Sequence, residues 1–298
     1  AVFVDNDNPE AFRVAVTEKT RAIFVESLAN PGGVIVDLEA IAKIAQEAEV
    51  PLIVDNTMAT PWLCRPFEWG ADLVVHSTTK FLSGQGNAMG GIVIDSGRFP
   101  WFGNAKYPSL SEPCPDYNGL TFAETFGDMA FTLYSHAVSL RDLGCTQSPM
   151  NAWITLNGVE TLPLRMERHV ENAQKVAGFL QQHPSVEWVS YAGLSSSPYY
   201  QLAQKYLQGK AGSVFTFGIR GGYESGLRLL EKVELFSHVS NIGDSRSLIL
   251  HPASTTHRQL SDEQRLTAGA GPEVIRLSVG IESAEDLIAD LEQALEGL

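Results

Sequence analysis

A lysine closes the run Val74-Val75-His76-Ser77-Thr78-Thr79-Lys80, after a short apolar stretch and three hydroxyl residues. Upstream, Leu52-Ile53-Val54-Asp55 ends a second apolar stretch on a carboxylate. An amine to condense with an aldehyde, hydroxyls to meet a phosphate and a carboxylate to keep a pyridine nitrogen protonated are what pyridoxal 5'-phosphate asks of a protein. Protonation of the ring is what makes that cofactor an electron sink. Lys80 is then the catalytic and cofactor-binding lysine and Asp55 the partner of the ring nitrogen. Ser77 and Thr79, which alternate along the chain, reach the phosphate. Taken singly, a loop lysine is ordinarily a solvated charge, a strand-tip Asp often caps a turn, and hydroxyls there often satisfy local backbone. Their combination favours the cofactor, as does Ser83-Gly84-Gln85-Gly86, which suits close approach of backbone to a ligand. Burial of the amine would lower its pKa and make it a better nucleophile.

The elements that position these residues show in the periodicity. Residues 22–26, 52–55, 73–76 and 91–94 form short apolar runs expected to be buried parallel strands. Between the first two, Asp37 can cap a helix whose Leu38, Ile41, Ala42, Ala45 and Ala48 share helical spacing. This alternation predicts helices packed on a mainly parallel sheet. Residues 95–120 lose all periodicity and are expected to form a wall of the active site. Helical patterns return over 122–143 and 162–182. Beyond them, strands are expected at 186–191, 214–219 and 274–278, with a helix starting at Ser283-Ala284-Glu285-Asp286. The chain divides near Gly158 into a large cofactor-binding domain, 1–158, and a smaller α+β domain, 159–298.

Composition narrows the function classes. Of 298 residues, 44% are hydrophobic and Lys plus Arg number 21 against 35 Asp plus Glu, a net charge of −14. So acidic a chain offers no broad nucleic-acid or anionic-membrane surface. The three cysteines, Cys64, Cys114 and Cys145, show neither C-x-x-C nor metal-ligand spacing and fit a reducing cytoplasm. The glycines of Gly84-Gln85-Gly86-Asn87-Ala88-Met89-Gly90 have the wrong spacing and place for a dinucleotide fingerprint, which weakens a nucleotide-dependent oxidoreductase. The chain opens on the strand-like Ala1-Val2-Phe3-Val4, so a substantial N-terminal portion is expected to be missing.

These motifs resemble the pyridoxal-phosphate enzymes of cysteine and methionine metabolism, along essentially the whole chain. Glu26-Ser27-Leu28-Ala29-Asn30-Pro31 matches the family's E-[ST]-x-x-N-P element, which would place Asn30 near the cofactor's phenolic oxygen. Val274-Ile275-Arg276-Leu277-Ser278-Val279-Gly280 resembles the element whose arginine grips the substrate α-carboxylate. Arg276 would be that residue, its planar fork suiting bidentate recognition, with Asn241 beside the substrate. The resemblance implies an aspartate-aminotransferase-like (fold type I) α/β fold, with a mainly parallel sheet flanked by helices. It also implies a homo-oligomer, a dimer of dimers, in the cytoplasm, acting on an amino-acid ester and sulfide without metal, nucleic acid or membrane.

Asn241-Ile242-Gly243-Asp244-Ser245-Arg246-Ser247-Leu248 and the irregular 95–120 segment resemble the O-acetylhomoserine sulfhydrylase branch. Asp116-Tyr117-Asn118-Gly119 departs from that branch's S-Y-H-G. The expected reaction is γ-replacement on O-acetyl-L-homoserine with sulfide, giving L-homocysteine and acetate. The alternatives are an O-succinylhomoserine sulfhydrylase, a cystathionine γ-synthase, a methionine γ-lyase, or a cofactor-free fragment without turnover. The family's phosphate-grasping turn, its ring-stacking aromatic residue and the Tyr and Arg lent by a neighbouring subunit would precede Ala1, so weak cofactor binding is expected of the chain by itself.

Overall fold

The computed structural model describes residues 1–5 and 8–298, which form two sheets and their helices. The first sheet runs in the order β1 (Ile23–Glu26), β2 (Leu52–Asp55), β3 (Leu73–Ser77), β4 (Gly91–Asp95). The first three strands are parallel, in a register that pairs Glu26 with Asp55 and Asp55 with Val75. Their carboxyl ends therefore lie side by side, where open α/β sheets form their ligand crevice.

Among the described residues five helices reach ten residues: α1 (Leu38–Glu47), α2 (Pro149–Glu160), α3 (Leu162–Gln182), α4 (Gly222–Lys232) and α5 (Ala284–Leu295). Asp37 caps α1 as its position implies, its Oδ1 accepting from the Ala40 N–H at 3.2 Å. The helix then buries Leu38, Ile41, Ile44 and Ala45. Ser283 caps α5 in the same way, accepting from the Asp286 N–H.

Strand β4 corrects one expectation. It is antiparallel to β3, and Ile92, Val93 and Ile94 are 46, 57 and 37% exposed rather than buried. A parallel return needs a crossover of a dozen or more residues, usually a helix. Residues 78–90 instead turn back through one π-helical turn and a glycine-rich loop, so the strand reverses. The helical pattern over 122–143 is interrupted once: Phe122–Phe126 is followed by a short turn and then by an unbroken helical run from Ala130 to Leu143, π-helical over Ser135–Leu140. Gly127, at φ 54°, interrupts it after the first piece.

The second sheet has the order β5 (Val186–Ser190), β6 (Val214–Ile219), β9 (Val274–Ser278), β8 (Leu248–Leu250), β7 (Ser237–His238). β6 is buried at every position, and β9 crosses it antiparallel with Thr216 opposite Arg276. One apolar core runs through both sheets, from Val25 and Val54 to Phe215 and Leu277. Gly158 lies inside α2, two residues before its end.

Residues 98–138 hold a second cluster, in which Phe99, Trp101, Leu110 and Phe122 are buried and Trp101 stacks on Phe131 at 5.5 Å. This cluster docks by hydrogen bonds from Lys106 to the Ala48 carbonyl and from Tyr107 to the Arg21 carbonyl. Both partners precede strands, so the segment sits at the amino ends of β1 and β2, opposite Asp55. That docking overturns the expectation that 95–120 walls the active site. The segment's place is set by aromatic packing, which periodicity does not reveal.

Candidate active site

Lys80 sits in the π-helical turn Thr78–Leu82 that follows β3, with φ −90° and ψ −129°, outside helical geometry. The departure turns its side chain out of the turn, and its Nζ donates to Asn241 Oδ1 at 2.6 Å. Gly86, at φ 62°, makes that contact possible: a Cβ there would lie 2.5 Å from Asn241 Nδ2. Burial, and then the nearby Arg276 charge, lower the lysine's pKa. Both effects favour the free amine, the nucleophilic form.

Arg276 is partly buried on β9. Its Nη2 donates to the Asn241 carbonyl at 3.2 Å and its Nη1 to Asn30 Oδ1 at 3.4 Å. Among the described residues it forms no salt bridge, and burial lowers its pKa. A desolvated guanidinium with only neutral partners is a ready site for an incoming carboxylate. Asn241 thus touches both the lysine and the arginine, from a position 161 residues after Lys80.

Asp55 ends β2. Its Oδ1 accepts from the Thr57 N–H at 2.9 Å, while Thr57 Oγ1 accepts from the Ser77 N–H at 2.8 Å. Thr57 therefore braces the carboxylate against the end of β3. Below them, Asn56 is fully buried, bonded to Ser27 Oγ and to the Cys64 carbonyl. Glu26 neighbours Asp55 across the parallel pair. Its carboxyl accepts from the Asn30 N–H at 3.1 Å, and burial, with the Asp55 charge behind it, raises its pKa.

The two phosphate candidates differ. The Ser77 hydroxyl makes no hydrogen bond among the described residues. The Thr79 hydroxyl is tied to Gly90, donating to its carbonyl at 3.3 Å and accepting from its N–H at 3.1 Å. Ser77 is therefore the freer donor. Lys80, Asn241, Arg276 and Asn30 are joined directly, Asp55 and Ser77 through Thr57. No hydrogen bond of the described residues links 95–120 to any of them.

Residues 1–296 match the model of the Cys/Met metabolism PLP-dependent enzyme family. The chain belongs to that family. It is 50% identical to an O-acetyl-L-homoserine sulfhydrylase of Leptospira meyeri over 305 aligned residues, covering 99% of this chain and 69% of the relative. It is 45% identical to a homocysteine synthase of Schizosaccharomyces pombe over 296 residues, with 99 and 69% covered. Among solved structures, a putative O-acetylhomoserine (thiol)-lyase of Campylobacter jejuni superposes with a TM-score of 0.95 at 42% identity, over 99% of this chain and 70% of that one. That structure carries a pyridoxyl-lysine phosphate at its position 205. The fold is the fold type I α/β architecture that the sequence implied.

As a member of the Cys/Met metabolism family the chain is a pyridoxal-phosphate-dependent enzyme. Its own residues fit the cofactor: an amine of lowered basicity, an unengaged Ser77 hydroxyl and a braced Asp55 carboxylate, at adjoining strand ends. Sequence reasoning missed Thr57, although a hydroxyl two residues after a strand-end Asp is a turn signal. It also missed the bridging contact of Asn241, which carries no local signal. No group of His, Cys, Asp and Glu among the described residues has the arrangement of a metal site.

Proposed function

We propose that this chain catalyses γ-replacement on O-acetyl-L-homoserine with sulfide, giving L-homocysteine and acetate. The observation that carries the reading is the lysine–asparagine–arginine cluster: Lys80 and an unpaired, desolvated Arg276 share Asn241. An amino acid whose α-carboxylate lies on Arg276 presents its Cα and Cβ to the lysine. The sulfhydrylase relatives at 50 and 45% identity support the choice of ester and nucleophile.

In this reading Lys80 carries pyridoxal phosphate and Asp55 faces its ring nitrogen. Ser77 would donate to its phosphate, Thr79 could do so only by giving up its bond to the Gly90 carbonyl, and Asn30 would lie near its phenolic oxygen. Bound there, the cofactor supplies an electron sink for charge that develops next to the substrate amine. Once displaced by that amine, Lys80 is free as a base of lowered pKa. It removes a proton from Cα and then one from Cβ, acetate leaves Cγ, and hydrosulfide adds at Cγ before the protons return. Arg276 and Asn241 hold the carboxylate throughout, so the same lysine reaches both carbons.

A succinyl ester would bring a second carboxylate, whose desolvation needs a further cation. Arg246, on the Asn241 segment, is already paired with Asp244 at 3.2 Å. We therefore expect kcat/KM for O-acetyl-L-homoserine with sulfide to exceed that for O-succinyl-L-homoserine by about 100-fold or more, roughly the cost of one poorly matched charge. Parallel assays of the two esters decide it. A preference for the succinyl ester, or for cysteine over sulfide, would overturn the assignment.

The reading extends to assembly and place. Met150, Trp153 and Leu156 of α2 are 63, 62 and 65% exposed, an apolar surface of the kind that a second copy covers in a homo-oligomer. Three free cysteines suit the cytoplasm. No helix among the described residues is long and apolar enough to cross a membrane.

A further inference from the structure

Helix α3 contributes nothing to the proposed chemistry, yet three of its polar side chains reach into the backbone around it. Arg165, His169 and Asn172 lie at positions i, i+4 and i+7, one stripe of the helix. Arg165 Nη1 donates to the Phe81 carbonyl at 2.8 Å, and its Nη2 donates to the carbonyls of Gly158 at 2.7 Å and Leu82 at 3.4 Å. Its Nε donates to Thr161 Oγ1 at 3.2 Å. The His169 ring packs edge-on against Phe81 at 5.3 Å, and its Nδ1 donates to the Val279 carbonyl at 2.7 Å. Asn172 Nδ2 donates to the carbonyls of Gly280 at 3.0 Å and Glu282 at 2.8 Å.

Phe81 and Leu82 follow Lys80 directly, and Val279 and Gly280 follow the strand that carries Arg276. The turn's earlier carbonyls are already occupied: Thr78 accepts from the Ser83 N–H, Lys80 from the Gly84 N–H, and Thr79 from Ser83 Oγ. Arg165 answers the next two. The match is specific to arginine, because only a planar fork with several donors can meet carbonyls of two segments at once. The turn is also cleared for it. Gly84 has φ 79°, and a Cβ there would lie 2.5 Å from Arg165 Nη1.

We propose that Arg165 is a positioning residue for Lys80: by holding the Phe81 and Leu82 carbonyls it fixes the turn that aims the lysine amine at Asn241 and Arg276. The same helix face, through His169 and Asn172, fixes the exit of the Arg276 strand. α3 thereby sets the spacing between the amine and the carboxylate site. The proposal rests on the assignment of Lys80 as the cofactor lysine.

The test uses Arg165→Lys and Arg165→Gln in the holoenzyme, with Lys80→Ala as reference. Borohydride reduction and peptide mapping report which lysine holds the cofactor, and the pH dependence of its visible absorbance reports the lysine's setting. Both Arg165 variants should keep the cofactor on Lys80 and shift the pH of the absorbance transition. KM should stay within about threefold while kcat falls about 10- to 100-fold, the loss expected of an ångström-scale misplacement. If the Arg165→Gln variant does not fold, Arg165→Lys decides alone, since it keeps the charge and loses the fork. A kcat within twofold of the parent with an unshifted transition overturns the proposal, even if the melting temperature falls. A reducible linkage that survives in Lys80→Ala overturns the Lys80 assignment instead, and the positioning role with it.

Discussion

Lys80 and Arg276 sit close enough to act on one another: after burial, the arginine's charge is what lowers the basicity of the amine beside the proposed carboxylate site. Lys80→Ala should leave a folded protein without the cofactor's lysine-bound visible band and without turnover, since the linkage needs its amine. A borohydride-trappable cofactor at another lysine would refute the role. Asp55→Ala should still attach the cofactor but lose about 100-fold or more in kcat, because it removes the charge that holds the ring protonated. Wild-type rates would release Asp55 from that role. Arg276→Lys keeps the charge but gives up the two-pronged grip and the bond to the Asn241 carbonyl at 3.2 Å. KM for the ester should rise about 10- to 100-fold, corresponding to roughly 1.4 to 2.8 kcal/mol of a charge-assisted pair. An unchanged KM would move the carboxylate elsewhere.

Helix α3 makes a prediction of its own. His169 is fully buried and burial pushes its pKa down to about 4, from an ordinary 6.5. Above pH 6.5 neither the folded nor the unfolded chain protonates it; between 6.5 and about 4 only the unfolded chain does. Stability should therefore fall as pH drops through that window, by an amount on the order of 3 kcal/mol at most. His169→Asn keeps a donor for the Val279 carbonyl and should flatten the slope between pH 6.5 and 4 in urea unfolding. An equal slope in both proteins would assign the acid sensitivity to other groups.

That stripe was not legible in the sequence, because its partners are backbone carbonyls that carry no letter. Strands whose runs were bounded by clear breaks were legible: β2 and β9 occupy 52–55 and 274–278 as expected. The direction of β4 was not, since a short apolar run fixes neither neighbour nor sense and the connection decides both. β7 and β8, of two and three residues, are too short for any period to appear. Within the proposed site, local context pointed to Lys80 and Asp55 and the family resemblance to Arg276, whereas the Asn241 contact joins residues 161 apart and needs the fold.

At the scale of the whole molecule, the proposed site draws Lys80 and Arg276 from two sheets that share one core. The exposed face of α2 tests the assembly. Trp153→Glu should weaken self-association about 30-fold, as loss of a single aromatic anchor worth roughly 2 kcal/mol would. Sedimentation velocity at micromolar concentration would show the shift, and an unchanged profile would remove α2 from the interface. The aromatic cluster around Trp101 carries a different implication. It packs separately from the main core and is hydrogen-bonded to the rest of the fold by the side chains of Arg98, Asn104, Lys106 and Tyr107, all to backbone carbonyls. A unit held this way can melt and re-form by itself while the sheets stay intact. Damage there, whether by a protease cut or a lost ring, would be felt as a local wound at the floor of the sheet and would leave the lysine at its far rim in working order.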